Sequence, residues 1–275
     1  MRSSFWHEGY ALIEGMFDPE ELAALRHDAQ GVFCRQIVRL GLAADEQAAM
    51  ARFEPAMFEL FKREPTLYMN CGKQVQHLLS LHRLGLDPRI LGVIGELGLE
   101  APAISTRPVL FFHHRETARH EAYWKVPAHQ DWSSMQGSAD SLVVWLPLTD
   151  VDAPLGPLEI IPGSHRRGLR ASTLIEGGFG ELPAQSIQPD EVFTPVPMKA
   201  GDALIFSSMM VHRSGDNRSG RFRWSCNFRY NNLAEESFIG RGYPHAYLYR
   251  PVDEELTPGF DTEKAILAVC AKNGP

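Results

Sequence analysis

His129, Gln130 and Asp131 form an H-x-D triplet at the head of the segment Pro127–Asp150, PAHQDWSSMQGSADSLVVWLPLTD. In an extended chain, residues two apart point the same way, so an imidazole and a carboxylate can share one side of the backbone. The run Leu142–Leu146 that follows is short, apolar, β-branched and aromatic, the composition of a buried strand. An imidazole and a carboxylate need a third partner to hold a divalent ion. His212, at the end of a later apolar run, is the candidate. Two histidines and one carboxylate on one face of a metal, with the opposite face open, is the ligand set of non-haem Fe(II) oxygenases. The triplet alone is a short pattern that recurs by chance, so its weight comes from its context.

Two further stretches supply that context. Ala200–Asn217, AGDALIFSSMMVHRSGDN, reads as a Gly-Asp turn, a strand over Ala203–Phe206, then His212 and a turn-rich loop. Arg221–Tyr230, RFRWSCNFRY, places Arg223 in an aromatic and apolar strand. A guanidinium there needs an anionic partner, because an unpaired buried charge is costly. A protein carboxylate would serve, and so would the distal carboxylate of a co-substrate such as 2-oxoglutarate. Between these stretches, GPLEIIPGSH (156–165) is a strand closed by a Pro-Gly turn. His165 stands just past that turn, where a histidine is usually at the surface, and is not counted among the ligands.

These residues must be carried by a scaffold. The chain has 275 residues, of which 44% are hydrophobic and 22% charged, ordinary for a globular protein with material for a sizeable core. A formal net charge of −7 argues against nucleic acid or an anionic membrane surface as the main partner. Cys34, Cys71, Cys226 and Cys270 are scattered without a C-x-x-C pair, which reads as reduced thiols rather than a zinc site or a disulfide framework. The opening MRSSFWHEGYALIEG is too polar for a signal peptide, and no apolar stretch reaches the roughly 20 residues needed to span a bilayer. A cytoplasmic protein is expected.

The first hundred residues carry helical periodicity. Gly9–Ile13 reads as a short strand. Asp18-Pro19-Glu20-Glu21 starts a helix with an N-cap, a proline at the first position and acids in the first turn. Apolar stripes predict helices over 43–64, over 66–86 and from Asp87-Pro88 onward. After about residue 103 the period changes, and strands are expected at Ile104–Phe112, Ser141–Leu148, Leu158–Ile161, Val192–Pro197, Ala203–Phe206 and Phe222–Tyr230. Residues 170–190 read as a loop and Thr262–Lys272 as a closing helix. Helices followed by many short strands predict an α+β, β-rich chain with a barrel or double-sheet core. No repeat or linker divides it, so one domain over 1–275 is expected.

Taken in order, HQD (129–131), VVWLPL (143–148), GPLEIIPGSH (156–165), GDALIF (201–206), H-x-S-G-x-N (212–217) and Arg223 resemble the phytanoyl-CoA dioxygenase family of Fe(II)- and 2-oxoglutarate-dependent oxygenases. The opening GYALIEGMFDPEELAALR is similar to that family's first strand and helix. The resemblance is strong over 127–230, weaker over 5–110 and uninformative beyond 235. It implies a double-stranded β-helix (jelly-roll, cupin-like) core with flanking N-terminal helices. It also implies His129, Asp131 and His212 as Fe(II) ligands, with 2-oxoglutarate and O2 as co-substrates. Arg223 would pair with the far carboxylate of 2-oxoglutarate and Ser214 would donate to the same group. Arg221, read as sharing that strand face, is the competing choice, and the family's spacing favours Arg223. Trp145 falls where the family places an aromatic beside the co-substrate, and Lys73 near a polar position toward it. Arg107, His114, Trp132, Gln136, Asn227 and Arg229 are candidates for the substrate pocket, which the loops at 113–128 and 170–190 would help to build.

The activity so implied is hydroxylation of an aliphatic C–H bond in a small polar metabolite, with release of succinate and CO2. A carboxylate at 131 stands where related halogenases have Gly or Ala. Desaturation, cyclisation and epimerisation use the same centre. A cupin of another activity would want an H-x-H pair, which the chain lacks, and a silent scaffold would show a damaged triad, whereas His129, Asp131, His212 and Arg223 are all present.

Overall fold

A computed structural model describes residues 1–118, 121–135, 137–175, 180–235 and 238–239. The chain divides into two compact units, residues 1–244 and 245–275, and the described residues all fall in the first. Gln136, the helix expected at Thr262–Lys272 and Cys270 lie outside the described residues, as does part of the 170–190 loop.

The helical part comprises α1 (Arg2–Glu8), α2 (Pro19–Arg39), α3 (Glu46–Ala51), α4 (Phe53–Arg63), α5 (Pro65–Gln74), α6 (Leu79–Gly85) and α7 (Pro88–Glu96). The start of α2 is as its sequence dictates. The Asp18 carboxylate caps the helix, Glu21 reaches back to the Asp18 amide, and Leu22, Leu25 and Ala29 face inward. The helix expected over 43–64 breaks at Arg52, whose backbone leaves helical geometry between α3 and α4. The helix expected over 66–86 breaks at a turn over Val75–His77. There the buried Gln76 side chain turns inward, accepting from the Leu110 amide at 2.6 Å and donating to the Leu110 carbonyl at 2.9 Å. This satisfies a sheet edge that would otherwise be left unpaired.

The strands are β1 (Tyr10–Ile13), β2 (Pro102–Ile104), β3 (Val109–His113), β4 (Leu142–Pro147), β5 (Leu158–Ile160), β6 (Thr173–Leu174), β7 (Gly180–Glu181), β8 (Thr194–Val196), β9 (Ala203–Ser207), β10 (His212–Ser214) and β11 (Arg223–Asn232), with a short helix α8 (Trp132–Met135) before β4. All pairings are antiparallel. The larger sheet runs β1-β9-β4-β11-β2, with β3 also on β11, and the smaller runs β10-β5-β8. The β3 and β4 registers overlap at Ser225–Asn227, so β3 and β4 occupy opposite edges of β11. The run Ile104–Phe112 is therefore two strands, β2 and β3, laid along one edge of β11.

Side-chain parity builds three layers. Leu142, Val144 and Leu146 of β4, Ala203 and Ile205 of β9, and Trp224, Cys226, Phe228 and Tyr230 of β11 pack with the helices in the main core. Val143, Trp145, Leu204 and Phe206 face the other way and pack with Leu158, Ile160 and Val196 of the smaller sheet. Each buried Leu, Ile, Val or Phe among them contributes about 1.5–3 kcal/mol. The helices approach closely because Gly85 has no side chain: a Cβ there would stand 2.6 Å from the Phe228 ring, and the Tyr230 hydroxyl donates to the Gly85 carbonyl at 2.5 Å. The result is a mixed helix and antiparallel-sheet fold whose two sheets enclose a polar cavity.

Candidate metal centre

The three expected ligands converge. His129 and His212 form an antiparallel bridge, with N–H to O=C distances of 2.9 and 3.1 Å, and β10 pairs on its other side with β5 at Ile160. The imidazoles lie 4.1 Å apart between centroids, and Asp131 Oδ1 lies 3.5 Å from His129 Nε2. One ligand atom from each of His129, Asp131 and His212 falls within 4.8 Å of the other two. Each histidine has Nδ1 against a backbone carbonyl, His129 on Pro127 at 2.8 Å and His212 on Met210 at 3.0 Å. A carbonyl only accepts, so Nδ1 carries the proton and Nε2 presents its lone pair to the centre. Burial, with His129 beside it, pushes His212 down to about 3, so it is neutral. Burial alone would raise the Asp131 carboxyl, but the Arg229 guanidinium and the neighbouring imidazoles outweigh it and hold it well below the usual carboxylate range. Two imidazoles and one carboxylate fit a hard-to-borderline divalent ion such as Fe(II).

Gln130, between the two ligands, points away. Its amide donates to the Gly168 and Met209 carbonyls at 2.9 and 2.6 Å and accepts from the Arg170 amide at 2.8 Å, anchoring the turn that aims its neighbours. The middle residue of the triplet is thus part of the support.

The inward face of β11 carries Arg223, Ser225, Asn227 and Arg229, all lining one cavity with His113 and Phe111 of β3, Trp145, Phe206, Ser214 and the three ligands. The cavity encloses about 50 Å3. Arg223 is buried and donates to the Gly156 carbonyl, to Ser214 Oγ at 2.9 Å and to His113 Nδ1 at 2.9 Å. Its Nε has no partner, and no described carboxylate pairs with it. Burial pushes this guanidinium down to about 10. Burial and the adjacent Arg223 charge hold His113 well below the usual histidine range, so it is a neutral acceptor. Asn227 Oδ1 is likewise buried without a partner.

The remaining candidates separate. Trp145 and Ser214 line the cavity with Arg223 and Asn227. Arg229 lines it too, but grips Asp131, with Nε to Oδ2 and Nη2 to Oδ1 both at 3.0 Å. Lys73 is exposed on α5, and Arg107 is exposed with its guanidinium 3.3 Å from the Pro108 carbonyl. Neither lines the cavity, because α5 turns its Tyr68 and Cys71 face to the core and Arg107 precedes β3 on the outer surface. Trp132, half-buried, directs its indole N–H to the Ser138 carbonyl at 3.2 Å. Arg221 is exposed and pairs with Asp152 at 3.1 Å, outside β11, so it does not share the Arg223 face. His114 faces the helices, its ring 4.7 Å from Phe58. His165 is buried rather than at the surface, its Nε2 3.0 Å from the Trp6 carbonyl, so it secures the N-terminal segment and holds no ligand position. Sequence reasoning missed His113. The period-two alternation of Phe111 and His113 against Phe112 and His114 was the available signal.

A second, larger groove of about 870 Å3 shares Val126 and Ser214 with the cavity. It is lined from the 113–128 segment by Glu121 and Lys125 and from the 170–190 segment by Glu181 and Ile187, with Phe193 and Arg213 opposite. Its size lies in the range of small-molecule sites.

The curated peroxisomal phytanoyl-CoA dioxygenase of Mus musculus is 22% identical over 242 residues, covering 82% of this chain and 67% of its own length. Phytanoyl-CoA dioxygenase domain-containing protein 1 of Danio rerio is 25% identical over 260 residues, covering 80% and 84%. The 1-deoxypentalenic acid 11-beta-hydroxylase of Streptomyces exfoliatus is 32% identical over 105 residues, about a third of each chain at 36% and 37%. Among solved structures, the epimerase SnoN in complex with Fe3+, alpha ketoglutarate and nogalamycin RO shares the fold, with a TM-score of 0.54 and 17% identity over 84% of this chain and 82% of that one. The carbocyclase SnoK from nogalamycin biosynthesis shares it with a TM-score of 0.51 and 19% identity over 91% and 92%. The model of the phytanoyl-CoA dioxygenase (PhyH) family matches residues 5–225, and the chain belongs to that family.

Proposed function

We propose that this chain hydroxylates an aliphatic C–H bond of a small polar metabolite, consuming 2-oxoglutarate and O2 and releasing succinate and CO2. The observation that carries the reading is the convergence of His129, Asp131 and His212 beside a buried, anion-deficient Arg223. Iron(II) held by the three ligands would supply the O2 chemistry, coupling oxidative decarboxylation of 2-oxoglutarate to oxidation of the substrate. The protein's own work is positional. Pro127 and Met210 fix the imidazole tautomers through their carbonyls. Arg223, backed by neutral His113, receives the far carboxylate of 2-oxoglutarate, and the Ser214 hydroxyl adds a donor. Trp145, Phe206 and Leu158 line the cavity with apolar surface that excludes water from the reacting atoms. Asn227 and Ser225 offer polar contacts beyond them. The Asp131 carboxylate supports hydroxylation over halogenation, which needs that position vacated for halide.

The two facing antiparallel sheets support a double-stranded β-helix core. Among the described residues no helix is long and apolar enough to cross a membrane, and Cys34, Cys71 and Cys226 are free buried thiols. The free thiols support a reducing cytoplasmic setting. The test is a metabolite screen for substrate-stimulated succinate release, with product masses. Hydroxylation adds one oxygen atom to the substrate. Loss of two hydrogens, or an unchanged mass, would replace hydroxylation with desaturation, cyclisation or epimerisation at the same centre.

A further inference from the structure

Arg229 lines the cavity without being a candidate metal ligand or a partner of Arg223. It projects from β11, a strand paired on both edges, and its planar fork meets the Asp131 carboxylate squarely, with Nε on Oδ2 and Nη2 on Oδ1 at 3.0 Å each. The Asp131 carboxylate is buried, and its Oδ1 is the oxygen turned to His129 Nε2. A fork-on-fork guanidinium sits in the carboxylate plane, on the line that bisects the two oxygens. A metal chelated by both oxygens would need that same position. The two arrangements exclude each other, so an Arg229-bound carboxylate can reach a metal through one oxygen only.

We propose that Arg229 is a positioning residue that restricts Asp131 to a single metal bond, through Oδ1, and so keeps open the coordination position a chelating carboxylate would take. The number of open positions matters because 2-oxoglutarate claims two and O2 needs one more. The geometry divides the labour of one strand face: Arg223 at one end recognises the co-substrate, and Arg229 at the other sets how the protein carboxylate binds the ion. A lysine cannot substitute fully, since a single ammonium has no planar fork. This inference rests on the assignment of His129, Asp131 and His212 as the iron ligands.

The test uses the full chain, loaded anaerobically with Fe(II) and 2-oxoglutarate, with nitric oxide as a spectroscopic stand-in for O2. Two readouts are taken: the weak visible band of the iron–2-oxoglutarate complex and the electron paramagnetic resonance signal of the nitric oxide adduct. The expected result for Arg229→Gln is retained iron and a retained band, with the adduct signal down about ten-fold. Arg229→Lys should fall between the variant and the native protein, and it serves alone if Arg229→Gln does not fold. A full adduct signal in Arg229→Gln would overturn the proposal. Loss of iron from Arg229→Gln would overturn it too, because Arg229 would then be needed to hold the ligand rather than to limit it. His129→Ala and Asp131→Ala separate the two levels. If either keeps iron and the band, the ligand assignment itself fails. If both lose them while Arg229→Gln behaves as native, only the role of Arg229 fails.

Discussion

Replacing Arg223 with methionine separates a residue that stabilises the fold from one that waits for a ligand. The side chain is buried, and its guanidinium is pushed down to about 10, which corresponds to about 3 kcal/mol of lost hydration. Its three hydrogen bonds, to Gly156, Ser214 and His113, return part of that. Methionine keeps much of the stem volume and removes the charge, but it leaves the Gly156 carbonyl and His113 Nδ1 without a donor, at about 1–3 kcal/mol each. These contributions offset, so ligand-free Arg223→Met should lie within about 2 kcal/mol of the native protein. The bound state differs. Removing one partner of a buried ion pair costs about 3–5 kcal/mol, or roughly 150- to 4000-fold in 2-oxoglutarate affinity. At a ligand concentration of about 100 times the native Kd, 2-oxoglutarate should stabilise the native protein by about 2.7 kcal/mol and the variant by almost nothing. The assay is anaerobic thermal unfolding of the Mn(II)-loaded proteins with and without 2-oxoglutarate, with calorimetric titration for affinity. A variant that binds 2-oxoglutarate as tightly as the native protein, or that loses more than about 4 kcal/mol without it, would show the Arg223 charge to be satisfied inside the protein.

Two predictions concern the groups around Arg223. His113 is held neutral in the fold, well below its unfolded value of about 6.5. The unfolded chain therefore takes up a proton that the native state refuses, and stability falls as pH drops below about 6.5, at about 1.4 kcal/mol per pH unit, until the folded value is reached. His113→Asn keeps an acceptor toward Arg223 without that proton, so urea midpoints measured from pH 7 to 4.5 should fall less steeply by about one proton; parallel slopes would count against a neutral His113. Gly156→Ala should lower stability by about 1–3 kcal/mol and weaken 2-oxoglutarate binding, because Gly156 has a φ of 75° and a Cβ would stand 2.7 Å from both the Asp216 carbonyl carbon and the Gly215 carbonyl oxygen. Native stability and affinity in that variant would mean the loop yields freely.

Where local signals were strong the fold was legible. Asp18-Pro19 and Asp87-Pro88 start helices because capping chemistry is local, and β4 and β9 follow from apolar runs buried on both faces. The departures occur where a distant partner decides. Gln76 ends a helical run because β3, more than thirty residues on, needs its amide. The strand β10 is three residues long and exists through its pairing with β5, so its sequence reads as a strand end and loop. The helix α1 is seven residues with one buried side chain, too short for periodicity to register.

The site divides along the same line. Candidate ligand types and their order were readable because metal chemistry restricts which residues serve, and the candidates His129, Asp131 and His212 meet Arg223 in one cavity. What the support around them would be was harder to read, although β11 spells it out. In RWSCNFRY, Trp224, Cys226, Phe228 and Tyr230 go to the helices and Arg223, Ser225, Asn227 and Arg229 to the cavity. Once Arg223 is placed inward, parity forces Arg229 inward as well and excludes its even-numbered neighbours. Parity cannot say what Arg229 touches, since its partner lies 98 residues away. It does say that an arginine enters the cavity of the candidate metal centre, where the field of a bound metal would repel it. An anion between the two offsets that repulsion, and for Arg229 the one carboxylate of the triad is that anion. The Asp131–Arg229 pair therefore offsets the charge of the arginine that shares the carboxylate with the metal position, whereas Arg223, with no carboxylate of its own, is left to an incoming anion.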